Sequence, residues 1–227
     1  MRTLAVLPVK SFGLAKQRLG EAVQSDDRRA LARAMVGDVL EALGRVEALE
    51  GVILVSAEQI EIEATGHTRR FGAAPPRVEV VDDPEEVGQS AAALRGVRAA
   101  VERGAERVLL VPGDCPALEP AEVTELLAEP GLGVVIVPDR HGAGTNALLI
   151  APPEAVEPAF GPGSFARHAA LAHAAGARVR IGRLPSLELD VDTPGDLAAL
   201  RAALAARAGG APRTRALLDG IASAHAV

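Results

Sequence analysis

The chain has 227 residues, is 48% hydrophobic and carries a formal net charge of −6 at neutral pH, with a pI near 5.4. That acidity argues against non-specific nucleic-acid binding, and four Phe with no Trp or Tyr leave little for stacking bases on aromatic platforms. The apolar fraction, mainly Ala, Val and Leu, suffices for a substantial core in one large domain or two small ones.

Cys115 is the single cysteine, which excludes an internal disulfide and fits a reducing, cytoplasmic compartment. The first residues enter a strand directly, so no leader is expected, and no apolar run approaches the ~20 residues that span a membrane. In chain order, LAVL at 4–7 has the pattern of a buried parallel strand, and Pro8 is expected to stop it. A loop follows with Lys10, Lys16 and Arg18. Ser25, Asp26 and Asp27 signal a helix start, with Leu31, Met35, Val39 and Leu43 expected along one face of helix 25–43. Strands are predicted at 52–56, 78–81, 107–111, 134–137, 147–150 and 178–181, and helices at 90–103, 120–129 and 164–175. Thr193, Pro194 and Asp196 open the last long helix as cap, first position and returning acid. This alternation predicts an α/β fold, a three-layer αβα sandwich around a mostly parallel sheet. The closer strands after residue 133 predict a β-hairpin or an antiparallel edge strand. Residues 1–208 are expected to form one domain, and 209–227 a tail with a short helix at 214–222.

Five groups of residues carry chemistry. The loop cations lie at the carboxyl end of the first strand, where open α/β sheets bind anions, and a polyphosphate is the obvious ligand. Asp114, in VPGDCPAL at 111–118, lies at the carboxyl end of a central strand between two stiffening prolines. Asp190 and Asp192 project to one side of an extended LDVDTP segment. Paired carboxylates of this kind suit Mg²⁺, which an acidic protein needs to hold a polyphosphate, although capping by Asp192 stays open. Asp82, Gly88, Gln89 and Ser90 bracket the next strand-to-helix turn and suit either a nucleoside or a plain cap. The turns at 142–146 and 160–164 are Gly-rich, and the second opens a helix whose N–H groups favour an anion. His168 and His173 are five apart, the wrong spacing for a zinc site on one helix face. No Walker-type phosphate loop, dinucleotide fingerprint or serine nucleophile elbow is present, and Cys115 has no sequence-neighbouring histidine to activate it.

Over residues 4–204 these segments resemble the phosphoenolpyruvate / 2-phospho-L-lactate guanylyltransferase family of deazaflavin coenzyme F-420 biosynthesis, on a glycosyltransferase-A-like nucleotidyltransferase fold. The resemblance rests on PVKSFGLAKQRL (8–19), DDP and GQS (82–90), VPGDCPAL (111–118), GTNALL (144–149), FGPGSF (160–165) and LDVDTPGDL (189–197). Val9 to Arg18 stands where related sugar-phosphate nucleotidyltransferases carry a Gly-rich opening loop. The resemblance implies transfer of GMP from GTP to a phospho-acid with release of pyrophosphate. Lys10, Lys16, Arg18 and Asp114 take catalytic roles. Pro8, Val9, Lys10, Lys16, Asp82, Gly88, Gln89 and Ser90 face the nucleotide. Asp114, Asp190 and Asp192 hold Mg²⁺, and Thr145, Gly161 and Ser164 hold the acceptor's carboxylate. The expected partners are these small molecules, with no nucleic acid and no membrane, and a homodimer stays open. A cytidylyl- or molybdenum-cofactor-type nucleotidyltransferase, or a non-catalytic nucleotide-binding domain, remain alternatives.

Overall fold

A computed structural model describes residues 1–14, 16–20, 23–58, 77–128 and 131–224. Residue 129 of the expected third helix, Ala15 of the basic loop and the last three residues of the tail lie outside them. The strands are β1 (Thr3–Val9), β2 (Gly51–Ser56), β3 (Arg77–Asp82), β4 (Arg107–Leu110), β5 (Gly133–Pro138), β6 (Thr145–Ala151) and β7 (Val179–Ile181). The helices are α1 (Ser25–Leu43), α2 (Gln89–Glu102), α3 (Pro120–Ala128), α4 (Ser164–Ala174), α5 (Pro194–Ala205) and α6 (Pro212–Ala224).

Among the described residues the strands form one sheet in the order β3-β2-β1-β4-β6-β5-β7. β6 runs antiparallel to both of its neighbours, and the other pairings are parallel. The hairpin is therefore β5–β6, but its antiparallel strand is not an edge strand: β6 lies between β4 and β5, and β7 takes the edge. All seven β6 residues are buried, so its apolar run belongs in the sheet interior. The consequence for the site is direct. Because Leu110 pairs with Leu148, the beginning of β6 lies at the carboxyl end of β4.

Alternation along the strands feeds two cores. Ala5, Leu7, Val52, Leu54 and Leu109 pack with Val36 and Val39 of α1 and Val123 of α3. Leu4, Val6, Ile53, Val55 and Leu110 pack with Ala93 and Val97 of α2 and Ala172 of α4. This is the three-layer αβα arrangement. Gly96 lets α2 lie close on the sheet, since a Cβ there would come within 2.3 Å of Val6 Cγ1. The α1 row divides. Val39 and Leu43 face the sheet, whereas Leu31 and Met35 face Leu200, Leu218 and Ile221 of α5 and α6. Residues four apart advance about 40° around a helix, so the row turns about 120° between Leu31 and Leu43 and meets two partners. The tail helix docks there. Asp38 of α1 accepts from the N–H groups of Arg213 (3.1 Å) and Thr214 (2.8 Å), capping α6 from another helix.

Pro8 does not stop β1, which continues to Val9 paired with β2. Val6 O accepts from Val111 N–H at the last contact with β4, and Pro8, two residues on, faces the same side beyond the end of that strand. Its missing N–H costs no ladder bond.

Candidate active site

The strand order reverses at β1, which leads to β2 and β3 on one side and borders β4 on the other. Open α/β sheets bind ligands outside the carboxyl ends at such a point. There lies a cleft of about 240 Å³ lined by Pro8, Val9, Lys10, Phe12, Lys16, Met35, Asp83, Glu86, Gly88, Gln89, Asp114 and Asp192, among others. Gly113 belongs to the turn after β4. A Cβ on it would meet Val36 at 2.9 Å, so glycine lets this turn sit against α1 and carry Asp114 to the cleft.

Charge gathers at the cleft floor. Lys16 Nζ lies 2.6 Å from Asp114 Oδ2 and 3.0 Å from Asp192 Oδ1, with only 8% of its side chain exposed. Burial works against its ammonium, but the charges of Asp114 and Asp192, with hydrogen bonds to both, hold its pKa above the usual lysine range. Lys16 also adopts a left-handed backbone (φ 59°), a cost of ~1–2 kcal/mol for a side chain of this kind. Val191 N–H donates to Asp114 O (3.2 Å), which fixes the extended acidic segment beside β4. Asp190 Oδ1 accepts from Asn146 Nδ2 (3.2 Å), and the same amide donates to Leu187 O (2.8 Å). Burial, and next the charge of Asp114, push the Asp190 carboxyl above its usual pKa, with Asp192 adding to this. Asp192 does not cap α5. Thr193 does, accepting from Asp196 N–H in a reciprocal capping box.

Asp114 Oδ1 is buried with no hydrogen-bond partner. An orphan carboxylate oxygen beside two further carboxylates suits a hard cation with oxygen ligands, so these residues fit Mg²⁺. Among the described residues no three acidic, His or Cys side chains already form a cage. The ammonium of Lys16 lies between two of the three carboxylates instead. Cys115 is fully buried, its thiol 3.6 Å from Leu187 O, and burial raises its pKa well above the ordinary range, so it is no nucleophile.

Of the nucleotide-side candidates, Pro8, Val9, Lys10, Lys16, Gly88 and Gln89 line the cleft. Arg18 is exposed and does not line it. Asp82 is the exposed last residue of β3, and its neighbour Asp83 lines the cleft instead, buried, with Arg95 Nε at 3.2 Å. Ser90 Oγ points to Phe160 O (3.5 Å), tying α2 to the turn before α4. Glu86 is a further cleft residue that motif reading passed over. Ser11 donates its N–H to Oε1 (2.5 Å) and its hydroxyl to Oε2, which holds the Glu86 carboxyl below its usual range and joins the basic loop to the turn after β3.

The acceptor candidates form a second, neutral group. Thr145 opens β6 and is buried, with Oγ1 2.9 Å from His168 Nδ1. Ser164 begins α4, is buried, and donates its N–H to Gly161 O (3.0 Å). Gly161 (φ 109°) and Gly163 (φ 71°) supply the positive φ angles of that turn. Phe165 N–H donates to Ala143 O (3.2 Å), so the two Gly-rich turns touch. The hairpin turn's N–H groups at His141, Ala143 and Gly144 are taken by Asp139, so these three are not open to a ligand. His168, set aside on its zinc spacing, is fully buried between these segments.

The chain matches the model of the family "Guanylyl transferase CofC like" over residues 3–202. It is 48% identical over 222 residues to a phosphoenolpyruvate guanylyltransferase of Conexibacter woesei, covering 96% of both chains. It is 39% identical over 198 residues to one of Sphaerobacter thermophilus, covering 87% of this chain and 91% of that one. Among solved structures, a nucleotidyl transferase from Methanothermobacter superposes with a TM-score of 0.60 at 22% identity, covering 91% of this chain and 99% of that one. A 4-diphosphocytidyl-2C-methyl-D-erythritol synthase from Anaerococcus prevotii gives 0.55 at 13% identity, over 89% and 96%. These two likenesses concern the fold, whereas the sequence matches are specific: this chain belongs to the CofC-like family of guanylyl transferases.

Proposed function

We propose that this protein transfers GMP from GTP to the phosphate of phosphoenolpyruvate, releasing pyrophosphate, as a cytoplasmic step of coenzyme F-420 biosynthesis. The observation that carries the reading is the meeting of Lys16, Asp114 and Asp192 at the carboxyl ends of β1 and β4, in a chain nearly half identical to a phosphoenolpyruvate guanylyltransferase. The acceptor phosphate is ionised at neutral pH and is itself the nucleophile. It attacks the α-phosphorus of GTP, the bond from that phosphorus to the bridging oxygen breaks, and pyrophosphate leaves. No general base and no covalent enzyme intermediate are needed, so catalysis is positioning and charge neutralisation.

Asp114, Asp190 and Asp192 would hold Mg²⁺, which when bound offsets charge on the phosphates. Lys16 neutralises Asp114 and Asp192 in the free protein and turns to the phosphates as nucleotide enters. Lys10 faces the triphosphate from the cleft wall, and Arg18 meets it from the exposed side of the loop. Gly88 and Gln89 face the nucleoside. Thr145, Gly161 and Ser164 hold the acceptor's carboxylate where β6 and α4 begin. Pyrophosphate release from GTP, CTP, ATP and UTP, each with phosphoenolpyruvate and Mg²⁺, tests the reading. GTP is expected to be the productive donor. A preference for CTP, or nucleotide binding with no turnover, would replace it with the cytidylyl or non-catalytic alternative.

A further inference from the structure

We infer that His168 is a positioning residue for the acceptor: as a neutral Nδ1–H tautomer it donates to Thr145 and so commits that hydroxyl's own proton to the substrate. The inference rests on placing the acceptor's carboxylate at Thr145, Gly161 and Ser164. Its geometry is independent of that placement. His168 is fully buried. Its Nε2 lies 2.8 Å from Ala159 N. A backbone N–H can only donate, so Nε2 is the acceptor and carries no proton. The proton of the neutral ring is then on Nδ1, and Nδ1–H donates to Thr145 Oγ1 at 2.9 Å. With that bond made, the threonine oxygen is fixed in place and its O–H turns elsewhere as a donor. Burial, with the charge of Arg167 adding to it, depresses the ring pKa to about 4, consistent with a neutral ring at physiological pH. The ring is held on its other side too. Phe160 meets it edge to face at 5.1 Å, and Arg167 donates to Ala159 O, Phe160 O and Pro162 O, which shapes the turn leading to Gly161 and Ser164. One imidazole therefore couples the start of β6 to the turn before α4.

Two conservative variants separate its two bonds. In His168→Gln the amide oxygen takes the place of Nε2 and keeps Ala159, but no donor reaches Thr145. In His168→Asn the amide N–H takes the place of Nδ1 and keeps Thr145. His168→Gln is expected to raise the KM for phosphoenolpyruvate about ten-fold, the worth of one well-placed hydrogen bond, while His168→Asn keeps most of the parent value. The KM for GTP stays at the parent value in both. In a Thr145→Val background the Gln change adds nothing. An unchanged acceptor KM in His168→Gln, or the same rise in the Thr145→Val background, overturns the inference. ¹⁵N NMR of the unaltered protein's histidines at pH 7 gives a measurement independent of variant folding. A neutral His168 with Nε2 bare is expected, and an Nε2–H tautomer or an imidazolium overturns it. If the parent makes no product from GTP and any phospho-acid, the functional reading itself fails. If product forms and only the His168 effects are missing, the positioning role alone fails.

Discussion

The residues that line the cleft are held together by charge, and the group around Thr145 and His168, proposed for the acceptor, by neutral hydrogen bonds. In the first, Lys16 binds Asp114 and Asp192, and the basic loop is joined to the opposite turn through Ser11 and Glu86. In the second, buried Thr145 and His168 form a neutral pair that reaches the half-buried Ala159 N–H, with the Arg167 guanidinium on Ala159 O, and Phe165 and Ala143 join the two turns. Ion pairs around a ligand site exchange partners readily, because an incoming triphosphate or cation replaces one charge with another. A buried neutral network has no such replacement and holds one geometry. The difference matches the two substrates. The donor brings a long, highly charged chain, whereas the small acceptor must present one phosphate oxygen in line.

Breaking the charged side should cost most. Asp190→Asn is expected to abolish turnover, a loss on the order of several kcal/mol of transition-state stabilisation, while melting stays unchanged or rises, since the carboxyl removed is one that burial and Asp114 disfavour in its charged form. Near-normal rates at moderate Mg²⁺ would remove Asp190 from the metal site. The neutral side has its own signature in pH. The His168 pKa falls from 6.5 to about 4 on folding. Between those values the unfolded chain binds a proton that the folded one refuses, so the stability is complete above 6.5 and is lost as the pH falls towards 4. The loss is about 3 kcal/mol across that window, and urea unfolding of the parent and His168→Gln at pH 7 and 4.5 should show it in the parent alone. Equal slopes would mean that the ring is protonated in the folded state.

Smaller changes sharpen the division. Lys16→Ala should lower kcat/KM for GTP by the ~1.5–3 kcal/mol of a charge-assisted contact and leave the acceptor KM alone. If only the acceptor KM moved, the basic loop would belong to the other substrate. Ser164→Ala with Thr145→Val should weaken phosphoenolpyruvate by ~1–3 kcal/mol and GTP much less, as read by calorimetry with a non-hydrolysable GTP analogue and Mg²⁺. Parent-like phosphoenolpyruvate affinity would move the carboxylate site elsewhere. Thr193→Ala removes the α5 cap and should cost only ~1 kcal/mol of stability, seen as a lower Tm with both KM values retained. A changed KM would mean that the acidic segment depends on its cap.

Local chemistry made much of this legible. The α5 capping box is written in Thr193, Pro194 and Asp196, and β1 and β4 in unbroken aliphatic runs that end in the loop cations and Asp114. What stayed hidden depends on pairing between distant segments. Nothing within β6 says that it inserts between β4 and β5, yet that insertion brings Thr145 and Asn146 to the ligand end. Asp82 and Asp83 look equivalent in sequence, and only the end of the β3 ladder makes the second face inward. The spacing of His168 to His173 says nothing of its role, because its partners are a threonine 23 residues away and a backbone N–H nine residues back. The Leu31 to Leu43 row showed an apolar face but not that α6 would share it.

Attack of the acceptor's phosphate on the α-phosphorus of GTP leaves its mark in where the phosphate oxygens end up. Phosphoenolpyruvate labelled with ¹⁸O in its non-bridging phosphate oxygens is incubated with GTP, Mg²⁺ and the protein, and the products are read by mass spectrometry. A GMP–phosphoenolpyruvate conjugate that retains all of the label is expected, with unlabelled pyrophosphate. Label in the pyrophosphate, or no conjugate while another nucleotide or acceptor reacts, would contradict such an attack.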